Sequence, residues 1–427
     1  MKKIIASASL AAIGVAGVQA AYAPGLSPQE RSKLWTISAT LRGFYDDNYT
    51  TSYRTFKRES YGIEISPYLG INIALDQTLI GFSYQYGMRY YEDRENNSAD
   101  HSHQINFKLD HAFSERYKLA LSDNFVSAQE PEVLDPDVRT TTLRTDGNNI
   151  RNTARIAFDA EITPIIGAGV SYANTLYDYE ETGAGSRSAI LDRVEHLIGA
   201  KATWQATPST VGIFGYQYGI INHTSDDPLE SNPGLNPTDP EVRDQTSHYV
   251  FVGADHTFSS QLNGLVRLGA QFTEYPDAVP GSPEDTTGPY AEASATWNYN
   301  PGSYFQFGVR HARNQTDTAF RFTDTPVLDQ ESTSVYGSIN HRISPRLIGS
   351  LLGRYQHSTF KGGTNLDGTE GVDGEVDQLF EAGLNLTYQV NTFLSTEAGY
   401  NYDRLDSDLD RRSYTRNRVY IGLRASY

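Results

Sequence analysis

The 427-residue chain contains no cysteine and only 2 methionines. Without cysteine there is no disulfide framework, no thiolate metal site and no lipid-modified N-terminal Cys. Past the first two dozen residues, no apolar run reaches the ~18 residues that a membrane-spanning helix requires. Hydrophobic residues make up 38% of the chain, which is thin for the core of a soluble protein this long. Basic charge is also scarce. The formal net charge is −17, which argues against the basic patches that hold a nucleic-acid backbone. Neither G-x-S-x-G nor H-E-x-x-H occurs. Asp110-His111 and Asp255-His256 are sequence neighbours in extended segments, so their side chains point to opposite faces and cannot pair. The chain therefore reads as a non-enzyme without a cofactor. His101 and His103 share a face and could hold a metal, but such a pair reads better as a polar border at a membrane interface.

The chain is rich in tyrosine and glycine, with 29 and 36 residues. It opens with Lys2 and Lys3, an apolar run from Ile4 to Val18, and two small-residue patterns, Val18-Gln19-Ala20 and Ala21-Tyr22-Ala23. This is the pattern of a secretory signal peptide over residues 1–23, cleaved after Ala20 or Ala23. Residues 24–33 then form a short periplasmic segment, too short for a plug or partner-binding domain. The folded unit covers 34–427.

Alternation decides the fold class, because strand side chains alternate faces. Ile80, Phe82, Tyr84, Tyr86, Met88 and Tyr90 lie opposite Gly81, Ser83, Gln85, Gly87 and Arg89. Phe214, Tyr216, Tyr218 and Ile220 repeat the pattern, as do Phe305, Phe307 and Val309, and Phe380, Ala382, Leu384 and Leu386. About eighteen such segments follow in series. Short turns, four of them holding Pro164, Pro208, Pro301 and Pro345, alternate with long polar loops. The period of about 45 residues matches an outer-membrane hairpin with a short periplasmic turn and a long outer loop. A propeller blade of similar length would divide it into four short strands. The expected fold is an all-β transmembrane antiparallel up-and-down barrel of 18 strands. Sixteen is the runner-up, because Tyr117–Phe125 and Ser247–Phe258 alternate poorly.

Such a wall needs only every second residue apolar, and the other half faces a wet lumen. Candidate pore-lining residues on the polar face are Arg42, Arg89, Arg155, Arg193, Arg267, Arg310, Arg354, Arg418, Glu195, Glu381 and Glu397. Rings of charge there would select solutes, although the same groups could simply pair with one another. Acidic loops could bridge divalent cations to surface lipopolysaccharide, and the loop over 128–148 could fold into the lumen. The last segment places Tyr420 and Gly422 on one face and Leu423 and the terminal Tyr427 on the other. It resembles the C-terminal signal that the barrel-assembly machinery recognises.

Near the start, Tyr45-Asp46-Asp47-Asn48 follows Leu41-Arg42-Gly43-Phe44. This resembles the opening of the β-barrel porin family often found near exopolysaccharide gene clusters. The resemblance implies an outer-membrane barrel of uncharacterised cargo with a link to polysaccharide export, and it carries over no catalytic residue. Three functions follow in order: a channel for small hydrophilic solutes, anionic or saccharide; a barrel component of a polysaccharide export system; and a structural or adhesive surface barrel. Expected partners are outer-membrane lipid and lipopolysaccharide, and the assembly machinery during insertion. A homo-oligomer and periplasmic export partners stay open.

Overall fold

The computed structural model describes residues 34–95, 97–129, 147–229, 238–319, 323–365 and 371–427. The expected leader and periplasmic segment, and most of the loop expected to enter the lumen, lie outside these residues. Eighteen strands form one sheet that closes on itself. In chain order they are β1 (Trp35–Asp46), β2 (Ser60–Ala74), β3 (Thr78–Tyr91), β4 (Ala99–Ala112), β5 (Tyr117–Ala128) and β6 (Asn149–Glu161). Next come β7 (Ile166–Tyr179), β8 (Arg193–Thr207), β9 (Thr210–His223), β10 (Gln245–Thr257), β11 (Leu262–Glu274) and β12 (Asp285–Asn300). The chain ends with β13 (Ser303–Asn314), β14 (Val327–Arg342), β15 (Leu347–Gly362), β16 (Val376–Gln389), β17 (Leu394–Ser407) and β18 (Tyr414–Ser426). Each strand pairs antiparallel with the next, and β18 returns to β1 from Ser38↔Ser426 to Asp46↔Arg418. Closure leaves no strand edge facing lipid, where each unpaired backbone group would cost several kcal/mol. The count is eighteen rather than the runner-up sixteen, and β1 starts one residue later than expected.

The short turns share a local device. Ser114, Thr163, Ser259, Ser344 and Asn391 each accept hydrogen bonds from the backbone N–H groups two and three residues on. A short polar side chain can close a turn on its own backbone in this way, which is why so few residues suffice. The outer loops are longer and carry a short helix, α1 (Arg187–Leu191), capped by Ser186 accepting from the Ala189 N–H.

The outward face is apolar: Leu41, Ile63, Val170, Val252, Leu268, Leu351 and Ile421 are among its exposed side chains. Its two borders differ. Trp35, Trp204 and Trp297 stand exposed near the periplasmic ends of their strands. On the same face tyrosine hydroxyls meet histidine Nδ1 atoms: above mid-height at Tyr86 and His101 (2.7 Å), Tyr84 and His103 (3.0 Å), Tyr172 and His196 (2.8 Å) and Tyr216 and His248 (2.7 Å), and near the periplasmic ends at Tyr299 and His341 (2.8 Å). Amphipathic rings at the two borders are what a bilayer interface selects. The poor alternation of β5 and β10 also has a cause here. Their outward faces carry Asp123 on β5 and His248 and His256 on β10, as the register with Phe107, Phe214 and Tyr216 shows.

Candidate functional site: the charged lumen and its mouth

Even-numbered residues of β1, β2 and β18 point inward, and they build a dense wall around the seam where the chain closes. The Glu64 carboxylate accepts from three guanidiniums: Arg42 at 2.7 Å, Arg418 at 2.7 Å and Arg89 at 3.1 Å. Arg42 also donates to Glu397 on β17. The Arg42 guanidinium lies 4.9 Å above the Tyr420 ring, and that of Arg418 lies 4.6 Å above Phe44, both within cation–π range. Arg354 stands 3.8 Å from Glu381 on the adjoining strands. The Glu64 side chain is only 9% exposed. A carboxylate this buried is tolerable because several charge-assisted donors surround it.

The inner rings lie flat rather than across the lumen. Tyr420 covers Gly399 and Tyr336 covers Gly308 so closely that a Cβ on either glycine would collide with the ring. Glycine on the neighbouring strand is therefore what lets these aromatics fold against the wall.

The wall half-way round the barrel, on β10–β12, is looser. Arg267 stands 3.4 Å from Asp255 and 3.7 Å from Glu292, and Arg310 pairs in register with Glu292. Asp255 is 30% exposed. Further round, Lys201 and Asp159 form a 2.7 Å pair at 44% and 43% exposure. Arg155 is on the inner face of β6, across from Ser122 and Ala173. Arg193 and Glu195 pair at 2.7 Å near the outer end of β8, with the Arg193 guanidinium 3.9 Å above the Tyr177 ring. The eleven residues thus share the inward side of their strands but are spread around it: a group about the seam, Arg267 and Arg310 on the far wall, Arg155 on β6, and Arg193 with Glu195 near the mouth.

The mouth carries arginines that alternation could not reveal, because they stand in loops or at strand ends. Arg243, on the 3-10 turn Pro240–Arg243, is fully buried and donates to the carbonyls of Ile190 and Thr316, at 2.8 Å each. It therefore joins three outer loops. Burial, with Arg193 nearby, pulls its pKa down to about 10. Arg412, in the last outer loop, ties the loop of Thr316 to the outer end of β16, donating to Asp317 at 2.6 Å and Asp377 at 2.8 Å. Tyr275 donates to Asp329, which also receives Arg313; burial and Asp329 hold the Tyr275 hydroxyl well above its usual pKa. Asp244 accepts from the His223 N–H at 2.7 Å and lies 3.0 Å from its Nδ1. Burial pushes the Asp244 carboxyl up to about 6.

The tetrapeptide Tyr45-Asp46-Asp47-Asn48 works as a clasp between the first and last strands. The Asp46 carboxylate receives the Arg416 guanidinium, with Nε 2.8 Å from Oδ2. Asp47 accepts from the Asn417 backbone at 2.6 Å and from its amide at 2.7 Å. Asn48 donates to the carbonyls of Ser52 and Thr415. At the other end of the seam, Tyr427 lies 5.3 Å from the Trp35 ring and 6.2 Å from Phe393. Tyr420 and Gly422 face inward on β18, and Leu423 faces outward at 50% exposure.

No curated protein matches this sequence. Solved structures with a similar chain path include the outer membrane protein OpdK of Pseudomonas aeruginosa, at 12% identity and TM-score 0.43, covering 92% of this chain and 99% of that one. OccK2 (OpdF) of the same organism, solved with glucuronate, matches at 11% identity and TM-score 0.45, covering 92% and 98%. A BenF-like porin of Pseudomonas fluorescens Pf-5 matches at 11% and 0.46, covering 92% and 99%. The model of the family described as "Putative beta-barrel porin 2" matches residues 35–427, from the first strand to the last residue. With a closed eighteen-stranded wall, apolar outside and charged inside, this chain belongs to that porin family and is a multi-pass barrel of the outer membrane.

Proposed function

We propose that the barrel is a passive channel for small hydrophilic solutes, anionic or saccharide, and that the β10–β12 wall sets its preference. The observation behind this reading is the looseness of that wall. Arg267 is shared at 3.4 and 3.7 Å between two carboxylates, beyond the 2.7–2.9 Å of a strong charge-assisted bond. A passing carboxylate or polyhydroxy solute can compete for such a guanidinium, whereas it gains little at the saturated seam. Charged groups facing each other across a lumen produce a transverse field that orders solutes by charge. Inner rings folded against glycines leave cross-section for that passage.

The test is single-channel conductance of the refolded barrel in a planar bilayer, with the reversal potential read in a salt gradient. A steady conductance whose anion preference falls in Arg267→Ala or Arg310→Ala supports the reading. No conductance at any voltage overturns it and leaves the export-component and structural-barrel readings.

A further inference from the structure

The lipid-facing wall carries one acid at the wrong height. On β5, Tyr117, Leu121, Asp123 and Phe125 share the outward face. Asp123 pairs with Phe107, which pairs with Phe82, and both rings are exposed on the outside. Asp123 stands six residues above Tyr117 at the periplasmic end of β5, which is about 15 Å along the barrel axis at ordinary strand rise and tilt. Among the described residues, every other outward Asp, Glu, Lys or Arg on a strand is ten or more residues above its periplasmic end, about 25 Å. Arg404 on β17 and Glu331 on β14 are examples. Those residues reach the outer border of an apolar band that is itself about 25 Å tall. Asp123 lies inside it.

The acid sits in a polar patch. The Asn152 amide of β6 donates to both carboxylate oxygens, at 3.0 and 3.3 Å. On β7 the Asn174 amide, in register with Ala154, lies 3.2 Å from His196 Nδ1 of β8. A carboxylate has about four acceptor sites. Lipid chains supply no donor for those that Asn152 leaves open, so an ionisable group at this depth marks a contact with protein.

We propose that the outward face of β4–β8 around Asp123 binds a second copy of this chain. The patch is self-complementary. A two-fold axis near Ala154, which faces Asp123 in register, sets each carboxylate against the partner's amides and imidazoles, as an isologous contact requires. Leu121, Ile156 and Val170 supply the surrounding apolar area. This goes beyond the channel reading, and either can fail without the other.

The absence of native cysteine makes crosslinking clean. Ala154→Cys on β6 is compared with Ala382→Cys on the outward face of β16, both oxidised in native outer membranes. The expected result is a crosslinked dimer at least tenfold more abundant for Ala154→Cys. Asp123→Leu in the Ala154→Cys background should cut that yield severalfold while the barrel still folds, as read by its heat-modifiable migration in gels. Equal, low yields at both positions would overturn the proposal. A yield untouched by Asp123→Leu would overturn the role of the carboxylate in it.

Discussion

The seam wall and the β10–β12 wall face each other across one lumen and use the same residue types, yet they differ in how far each charge is satisfied. At the seam, one buried carboxylate takes three arginines at 2.7–3.1 Å, and two of those arginines also lie over aromatic rings. Across the lumen, one arginine is divided between two carboxylates at 3.4–3.7 Å with water at hand. The same residue types are therefore held differently in the two walls. Two of the seam contacts, Arg418 to Glu64 and Arg42 to Glu397, join strands from opposite ends of the sequence, where closure needs side-chain help. The far wall joins strands already connected by hairpins, and its charge contacts are longer.

The largest test of this contrast is Glu64→Ala. Two buried guanidiniums, Arg42 and Arg418, and the partly exposed Arg89 would lose a common partner, and stability should fall by about 3–5 kcal/mol, measured as the urea midpoint in detergent micelles. Asp46→Ala should cost less, about 1–3 kcal/mol. It removes the acceptor of Arg416 at the clasp, and the loss should appear as earlier opening of the β1–β18 pairing in hydrogen exchange. Arg267→Ala should cost less, about 1 kcal/mol, because its two contacts are long, at 3.4 and 3.7 Å, while shifting the reversal potential towards cations. If Glu64→Ala and Arg267→Ala destabilised equally, the two walls would not differ in the way described.

The mouth offers a smaller, pH-dependent effect. With its carboxyl pKa raised from 3.8 to about 6 by burial, Asp244 binds its proton more tightly in the folded loop than in an open one. The closed loop is thus favoured below the usual carboxylate range, and that advantage is lost as pH rises through about 6. Open probability should rise between about pH 4 and 6 and level off above that, and Asp244→Asn should flatten that profile. Lys201→Gln should do least: its pair with Asp159 is nearly half exposed, and only a slight change in selectivity is expected.

Much of this was legible in the chain itself. A period of two assigned Arg42, Glu64, Arg267 and Glu397 to the inner face, because each outward neighbour is apolar. Turn chemistry at Ser114, Ser259 and Ser344 divided the hairpins. The two segments that read poorly, β5 and β10, did so because Asp123, His248 and His256 stand on the lipid side, and a rule of alternation counts them as errors. Arg243, Arg412 and Arg416 escaped notice for a different reason. The first two stand in loops, which have no periodicity, and the partner of the third, Asp46, is far away in sequence at the other end of the sheet.

The sequence alone determined the barrel class, the inside and outside of the strands that alternate cleanly, and the long and short connections, since these depend on local alternation and turn residues; the structure settled eighteen strands against sixteen. Only the tertiary structure decided which charge meets which. Register and closure bring residues 42, 64, 397 and 418 together, and a pairing distance is a property of the closed sheet rather than of any one strand. The same closure decides whether an inward arginine is held closely by several groups, as at the seam, or shared at longer range, as Arg267 is.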